Sequence, residues 1–457
     1  MHEIDIHTVE LTLDVMKYAL QRITQINPEI GFPKSFEELK SAVGQTVTRE
    51  GISGESAFKV FKDVLLKATI PVDHPKHLAF VPAAPTRASL MFDLVTAVSS
   101  IHGSYWMEGA GAIFCEMEAM SWMVELTGMP KGSFGVFTSG GTAANLSAIV
   151  AAREYWRSQD KSRKNKKGII ITAHTAHSSV KAMAKVIDAE VLIVDTNEAL
   201  RGYEVETAIR SLNKEHRDRV FAVIATSGTT NAGIIDALGE IADVCKKHHL
   251  WFHVDGAYGG AALAVPEVRP LFEGIEKADS FTIDPHKWLF APYDCGAIIY
   301  RNPELAKKAH SQHGSYLKIF DDAGARGFNP SDYQIQLTRR VRGLPLWFSL
   351  AMHGTEVYEK AIHRGIELAA LAGEIIQSHN HLELVREPSL SIVLFRRIGW
   401  KEKDYTSWTF ANQKKKFALV TPTFIRKGGQ EEMVARFCFI NPDTTKEDIL
   451  SILDTMK

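Results

Sequence analysis

The chain has 457 residues, 45% hydrophobic and 23% charged, enough to bury a large core divided into roughly two or three parts. With 53 Lys and Arg against 54 Asp and Glu, the formal charge of −1 excludes nucleic acid or an anionic membrane as the main partner. No stretch approaches the roughly 20 apolar residues that span a bilayer, and the start Met1-His2-Glu3-Ile4-Asp5 lacks the basic and apolar parts of a signal peptide. Cys115, Cys245, Cys295 and Cys438 lie far apart without a Cys-x-x-Cys pair, which indicates reduced thiols in a cytoplasmic protein, not a disulfide frame or a zinc site.

Residues 1–72 read as a helical arm: apolar positions Leu11, Val15, Leu20 and Ile23 recur at helical spacing, with breaks at Pro28, Gly31, Pro33 and Gly51. Such an arm has little core of its own and must pack on another surface. A helix is expected over 116–127. Strand-like runs at 169–172, 191–194, 220–225, 251–254, 280–283 and 297–300 then alternate with helical segments, which predicts a mostly parallel sheet covered on both faces within residues 73–343. The basic run 161–167 between two elements reads as a solvated loop. From 344 to 457 the pattern changes to a smaller α+β domain. It has a long helix ending near Ser378, strands at 392–395, 417–420 and 434–440, and a last helix opened by Thr444-x-x-Glu447.

The chemistry-bearing residues fall mainly at strand ends. Ser139-Gly140-Gly141-Thr142 opens a helix-forming run; glycines let the backbone approach an anion, and a helix start offers unpaired N–H groups. The loop lacks the Lys-Ser/Thr of a nucleotide P-loop, so by itself it is equally an ordinary helix entry. His177 follows the strand 169–172, at the sheet end where open α/β folds bind ligands. Asp255 closes an apolar strand and is either a turn cap or the partner of a basic ligand nitrogen. Lys287 stands among apolar and aromatic neighbours in Asp284-Pro285-His286-Lys287-Trp288; burial there should lower its pKa and free an amine able to condense with an aldehyde.

At His253-Val254-Asp255-x-Ala257-Tyr258 and Asp284-Pro285-His286-Lys287-Trp288, with Ala176-His177-Ser178-Ser179 and Gly228-Thr229-Thr230, the chain resembles the group II pyridoxal-phosphate-dependent amino acid decarboxylases. This is the family of the aromatic amino acid, histidine, glutamate and cysteine sulfinate decarboxylases, and the bacterial aromatic enzymes stand nearest in character. The likeness runs from about His74 to the C-terminus, with four motifs in family order. It implies a fold-type I α/β enzyme and a homodimer whose N-terminal arm packs on the partner.

The resemblance also implies pyridoxal 5'-phosphate held by Lys287, its phosphate on Gly141 and Thr142 with His286 nearby, and its ring between His177 and Ala257. Asp255 would face the ring nitrogen, and Thr230 the ring substituents. Tyr316, before the glycine-rich 321–327 segment, matches the family tyrosine that protonates Cα; a phenylalanine there marks aldehyde synthases. Phe80, Val81 and Pro82 would wall the substrate, with Trp106 reaching across the dimer. Arg436, inside an apolar strand, needs a partner that is either an internal acid or the substrate carboxylate.

The expected activity is α-decarboxylation of an aromatic L-amino acid such as Trp, Phe or Tyr. The alternatives are an acidic or diamino substrate, an oxidative aldehyde synthase, or a cofactor-less scaffold, which would show no visible absorbance.

Overall fold

The computed structural model describes residues 4–196, 198–311, 327–427 and 430–457. A seven-stranded sheet organises the chain: β1 (Phe134–Thr138), β2 (Ile169–Ala173), β3 (Glu190–Val194), β4 (Val220–Thr226), β5 (Trp251–Asp255), β6 (Ser280–Ile283) and β7 (Gly296–Tyr300). Their order is β1-β7-β6-β5-β4-β2-β3, with β3, β2, β4, β5 and β6 mutually parallel and β7 antiparallel to both β6 and β1. Because parallel strands are covered on both sides, alternate residues enter two cores. Ile171, Val223, Phe252, Val254 and Phe281 join one. Ile170, Ile224, Trp251 and Ile298 join the other.

Each strand expected in this sheet forms within about a residue of its expected ends. β1 was not expected, because its short run leads straight into the glycine loop and carries Gly135. That glycine is required: a Cβ on it would lie 2.0 Å from Ile298 O on the paired strand.

A second, antiparallel sheet has the order β10-β11-β9-β8, formed by β8 (Leu382–Leu384), β9 (Ile392–Arg397), β10 (Thr421–Lys427) and β11 (Gln430–Cys438). The run 417–420 is not one of these strands. Instead Leu419 forms an isolated bridge with His77, and Leu78 N donates to Leu419 O at 2.9 Å, so the His74–Phe80 connection is stitched to this sheet. β8 and β10 were not expected; β10 carries Pro422, which an edge strand tolerates.

Three helical expectations shift. The long helix before Ser378 is two, Leu344–His353 and Thr355–Gln377, broken at Gly354 with φ +78°. The helix expected from 116 starts at Trp106, with non-helical backbone at Gly109 inside it. The last helix, Lys446–Leu453, is capped by Thr445 with Asp448, while Thr444 Oγ1 donates to Pro75 O at 2.7 Å. In the N-terminal arm, no residue of the helix Ile6–Thr24 is buried, and Arg22 ties it to Asp73 at 2.6 Å.

Candidate active site

At the C-terminal ends of β4, β5 and β6 lies a cavity of about 530 Å³. Open α/β sheets bind ligands at this edge, where the loops diverge. Gly141, Thr142, His177, Thr230, Asp255, Ala257, His286 and Lys287 all line it, drawn from five separate segments of sequence.

Lys287 follows β6 by one turn. Its side chain is 23% exposed, and Nζ lies 3.0 Å from Asp284 Oδ2. Burial pushes the amine pKa down, but the Asp284 carboxylate, through charge and hydrogen bond, and then Asp255 outweigh it, so the net shift is upward. This reverses the expectation of a neutral lysine. A charge in this site keeps its proton because two carboxylates surround it. Asp284 is itself buried and lines the cavity, and its Oδ1 is a buried acceptor without a hydrogen-bond partner.

His286 Nδ1 accepts from Cys295 N at 3.2 Å, which leaves the proton for Nε2; burial lowers its pKa. Its Cε1 would lie 3.4 Å from a Cβ on Gly140, so this ring borders the glycine loop.

The loop ends β1 and opens the helix Gly141–Ser158, with Gly140 at φ +139°, a conformation that favours glycine. The N–H groups of the first helical turn have no intrahelical acceptor. Space there is tight. A Cβ on Gly141 would come within 2.9 Å of Asp284 Oδ2 and 3.1 Å of Ala257 Cβ, and one on Gly296 within 2.4 Å of Gly140 Cα.

Asp255, buried at the end of β5, accepts from Ala257 N at 3.1 Å through Oδ1 and from Asn145 Nδ2 at 2.9 Å through Oδ2. A carboxylate has acceptor capacity beyond these two bonds, so it can take a third proton-bearing group. His177 Nδ1 accepts from Ser179 N at 3.2 Å and lies 2.8 Å from Ser179 Oγ, which fixes the ring through its own helix start.

These groups fit a phosphorylated pyridine aldehyde. Helix N–H groups and glycines suit its phosphate, the Asp255 carboxylate a protonated ring nitrogen, and Lys287 its aldehyde. Asp284 and Asn145 had no role assigned from sequence. Asp284 was legible three residues before Lys287; Asn145, one turn inside the helix, carried no local signal.

Phe80, Pro82, Trp106 and Arg436 are not among the residues lining this cavity. Phe80 is 63% exposed at φ +54°. Trp106 N donates to Asn329 Oδ1 at 3.0 Å. Arg436, buried on β11, donates to Thr230 O from Nε at 3.0 Å and Nη2 at 2.6 Å, and to Phe80 O from Nη1 at 2.6 Å. Its partners are two carbonyls, where an acid or a substrate was expected. Tyr316 lies outside the described residues.

Residues 41–398 match the pyridoxal-dependent decarboxylase conserved domain. Over 432 residues the chain is 31% identical to an aromatic-L-amino-acid decarboxylase of Bacillus atrophaeus, covering 92% of this chain and 88% of that protein. It is 29% identical over 385 residues to an L-2,4-diaminobutyrate decarboxylase of Acinetobacter baumannii, covering 79% of this chain and 75% of that one. The structure of Oryza sativa TDC with PLP and tryptamine superposes with a TM-score of 0.88, covering 100% of this chain and 99% of that chain at 21% identity, a likeness of fold.

Proposed function

Because the chain belongs to the pyridoxal-dependent decarboxylase family, and is therefore a carboxy-lyase acting on amino acids with pyridoxal phosphate, we propose that its substrate is an aromatic L-amino acid, released as the amine and carbon dioxide. The observation that carries this reading is the tie at the cavity's edge. Arg436 bonds the carbonyl of Thr230, which lines the cavity, and the carbonyl of Phe80, so the backbone of an exposed aromatic residue is tied to the cavity's lining. The Bacillus atrophaeus relative, named for aromatic amino acids, agrees with it.

Bound pyridoxal phosphate supplies an aldehyde for the substrate amine and a ring that accepts the electron pair left by the departing carboxylate. The chain's own residues do the rest. First-turn N–H groups at Gly141 and Thr142 would hold the cofactor's phosphate, Asp255 would face its ring nitrogen, and His177 and Ala257 would flank its ring. Lys287 can join an aldehyde only after losing a proton, and Asp284 Oδ2, 3.0 Å away, is the acceptor in reach. The proton returned to Cα is assigned to Tyr316, so Tyr316→Phe should cut amine yield and, with molecular oxygen as oxidant, release aldehyde, ammonia and hydrogen peroxide in step with carbon dioxide.

We further assign the chain to a cytoplasmic homodimer. Ile6, Leu13 and Leu20 on the first helix are 64%, 64% and 65% exposed, an apolar face suited to a partner subunit. Sedimentation of the full chain and of a chain lacking residues 1–72 tests this.

The substrate test is carbon dioxide release from a panel of Trp, Phe, Tyr, Glu, Asp and 2,4-diaminobutyrate. Release from the aromatic acids is expected. Release from 2,4-diaminobutyrate or glutamate alone would overturn the aromatic reading and leave the family intact.

A further inference from the structure

Behind Asp255 and Asn145, which line the cavity, the sheet carries three further polar side chains, Trp251, His253 and Ser280, that do not reach it. β5 turns Trp251, His253 and Asp255 to the face under the helix Gly141–Ser158, while Phe252 and Val254 enter the opposite core. Trp251 Nε1 donates to Ser280 Oγ at 2.8 Å, and His253 Nδ1 lies 2.8 Å from the same hydroxyl. His253 Nε2 lies 2.9 Å from Asn145 Oδ1, and Asn145 Nδ2 donates to Asp255 Oδ2 at 2.9 Å. All of these side chains are buried.

The donors and acceptors at the two ends set the direction of the bonds between them. An indole nitrogen only donates and a carboxylate only accepts. Asp255 therefore takes its proton contact from the Asn145 amide nitrogen, which turns the Asn145 oxygen to His253. The histidine must then donate from Nε2. Burial pushes its pKa down to about 4, so the ring is neutral and Nδ1 accepts from the Ser280 hydroxyl, which in turn accepts from Trp251. Every proton in the line points toward Asp255.

We infer that Asn145 and His253 are positioning residues for the cofactor, holding the Asp255 carboxylate turned to the cavity through a one-way hydrogen-bond line anchored at Trp251. This rests on the reading of Asp255 as the acid that faces the ring nitrogen. Asn145 lines the cavity and bonds Asp255 directly, whereas His253 does not line it and acts only through Asn145. A line of this kind also explains why a histidine and an asparagine are spent in an otherwise apolar layer, where each must find all its partners.

The experiment measures the pyridoxal phosphate dissociation constant of the apoenzyme, and its melting temperature without cofactor, for Asp255→Ala, Asn145→Leu, His253→Phe, His253→Gln and the double variant Asn145→Leu/His253→Phe. Removing a hydrogen bond to a charged group should weaken cofactor binding about tenfold or more in Asn145→Leu. His253→Phe should weaken it too, and His253→Gln, which keeps a donor near the Nε2 position, should restore it. The double variant should bind no worse than Asn145→Leu alone, because both act in series on one carboxylate, whereas independent packing defects would add.

Wild-type binding in Asn145→Leu beside lost binding in Asp255→Ala would overturn the inference and spare the site. Full additivity in the double variant, or equal loss in His253→Phe and His253→Gln, would overturn it as well. Wild-type binding in Asp255→Ala would overturn the reading beneath it. If Asn145→Leu does not fold, Asn145→Ser and the two His253 variants carry the same comparison.

Discussion

The wall that carries Lys287, Asp255 and Gly141 stands on strand ends and a helix start, whereas the mouth beside Phe80 is connecting chain held by side-chain bonds to carbonyls. The wall is rigid because its supports are buried on both faces of a parallel sheet; moving Asp255 would mean moving β5 between two cores. The mouth is held by Arg436 and by the pairing of the His74–Phe80 connection with Leu419 and Cys438. Chemistry common to a family belongs on the first kind of support, and substrate choice on the second, where a few loop side chains decide between analogues by about 1–3 kcal/mol.

The sharpest way to break this contrast is at the wall. Lys287→Ala should lower decarboxylation roughly a thousandfold or more, as removal of a covalent group does. It should also abolish the near-visible absorbance that borohydride eliminates in the native enzyme. Retention of either would mean that the wall is not where the cofactor is joined. Gly141→Ala is a milder probe of the same wall. Its Cβ would press on Asp284 Oδ2 at 2.9 Å and Ala257 Cβ at 3.1 Å, so cofactor affinity should fall about tenfold, a cost of the order of one strained contact, with little change in melting temperature of the apoenzyme. Equilibrium titration with pyridoxal phosphate reads it.

At the mouth, Arg436→Lys separates two roles. The lysine cannot reproduce three bonds to two carbonyls, and losing those part-buried bonds should cost about 1–3 kcal/mol in denaturant unfolding. If Arg436 serves the substrate instead, KM will rise with stability unchanged. A loss of stability with a smaller change in KM is the expected result, because all three of these bonds are spent inside the chain.

The same contrast governs what could be read from the sequence. The six runs from 169 to 300 were legible because apolar strands between turns have one pattern, and Lys287, Asp255 and His177 because each sits at such a strand's end. β1 was hidden by the glycine loop that follows it, and β10 by Pro422. The break at Gly354 was hidden because the apolar spacing of Leu344–His353 and Thr355–Gln377 runs on across it. Asn145 and the partners of Arg436 were beyond reach for a different reason: Asn145 meets Asp255 across 110 positions and Arg436 meets Thr230 across 206, separations that no local period encodes. The raised pKa of Lys287 was missed because burial is readable from apolar neighbours, while the direction in which Asp284 points is not.

The smallest effect concerns that lysine. In the folded apoenzyme Lys287 holds its proton more tightly than the ordinary value of 10.5, since the Asp284 and Asp255 carboxylates outweigh burial. A folded-state pKa above the unfolded one contributes stability that is fully present below 10.5 and is lost as pH rises through the folded value. Asp284→Asn removes the first and largest of the opposing charges, leaving burial to act in the downward direction. The stability difference between wild type and Asp284→Asn should therefore be constant through neutral pH and shrink above the ordinary lysine range, where the other lysines and tyrosines titrate equally in both proteins and cancel. Urea unfolding of the two apoenzymes across that range checks it. A difference that stays constant through alkaline pH would mean that the pair at the wall is not charged, and that Lys287 stands ready as a neutral amine after all.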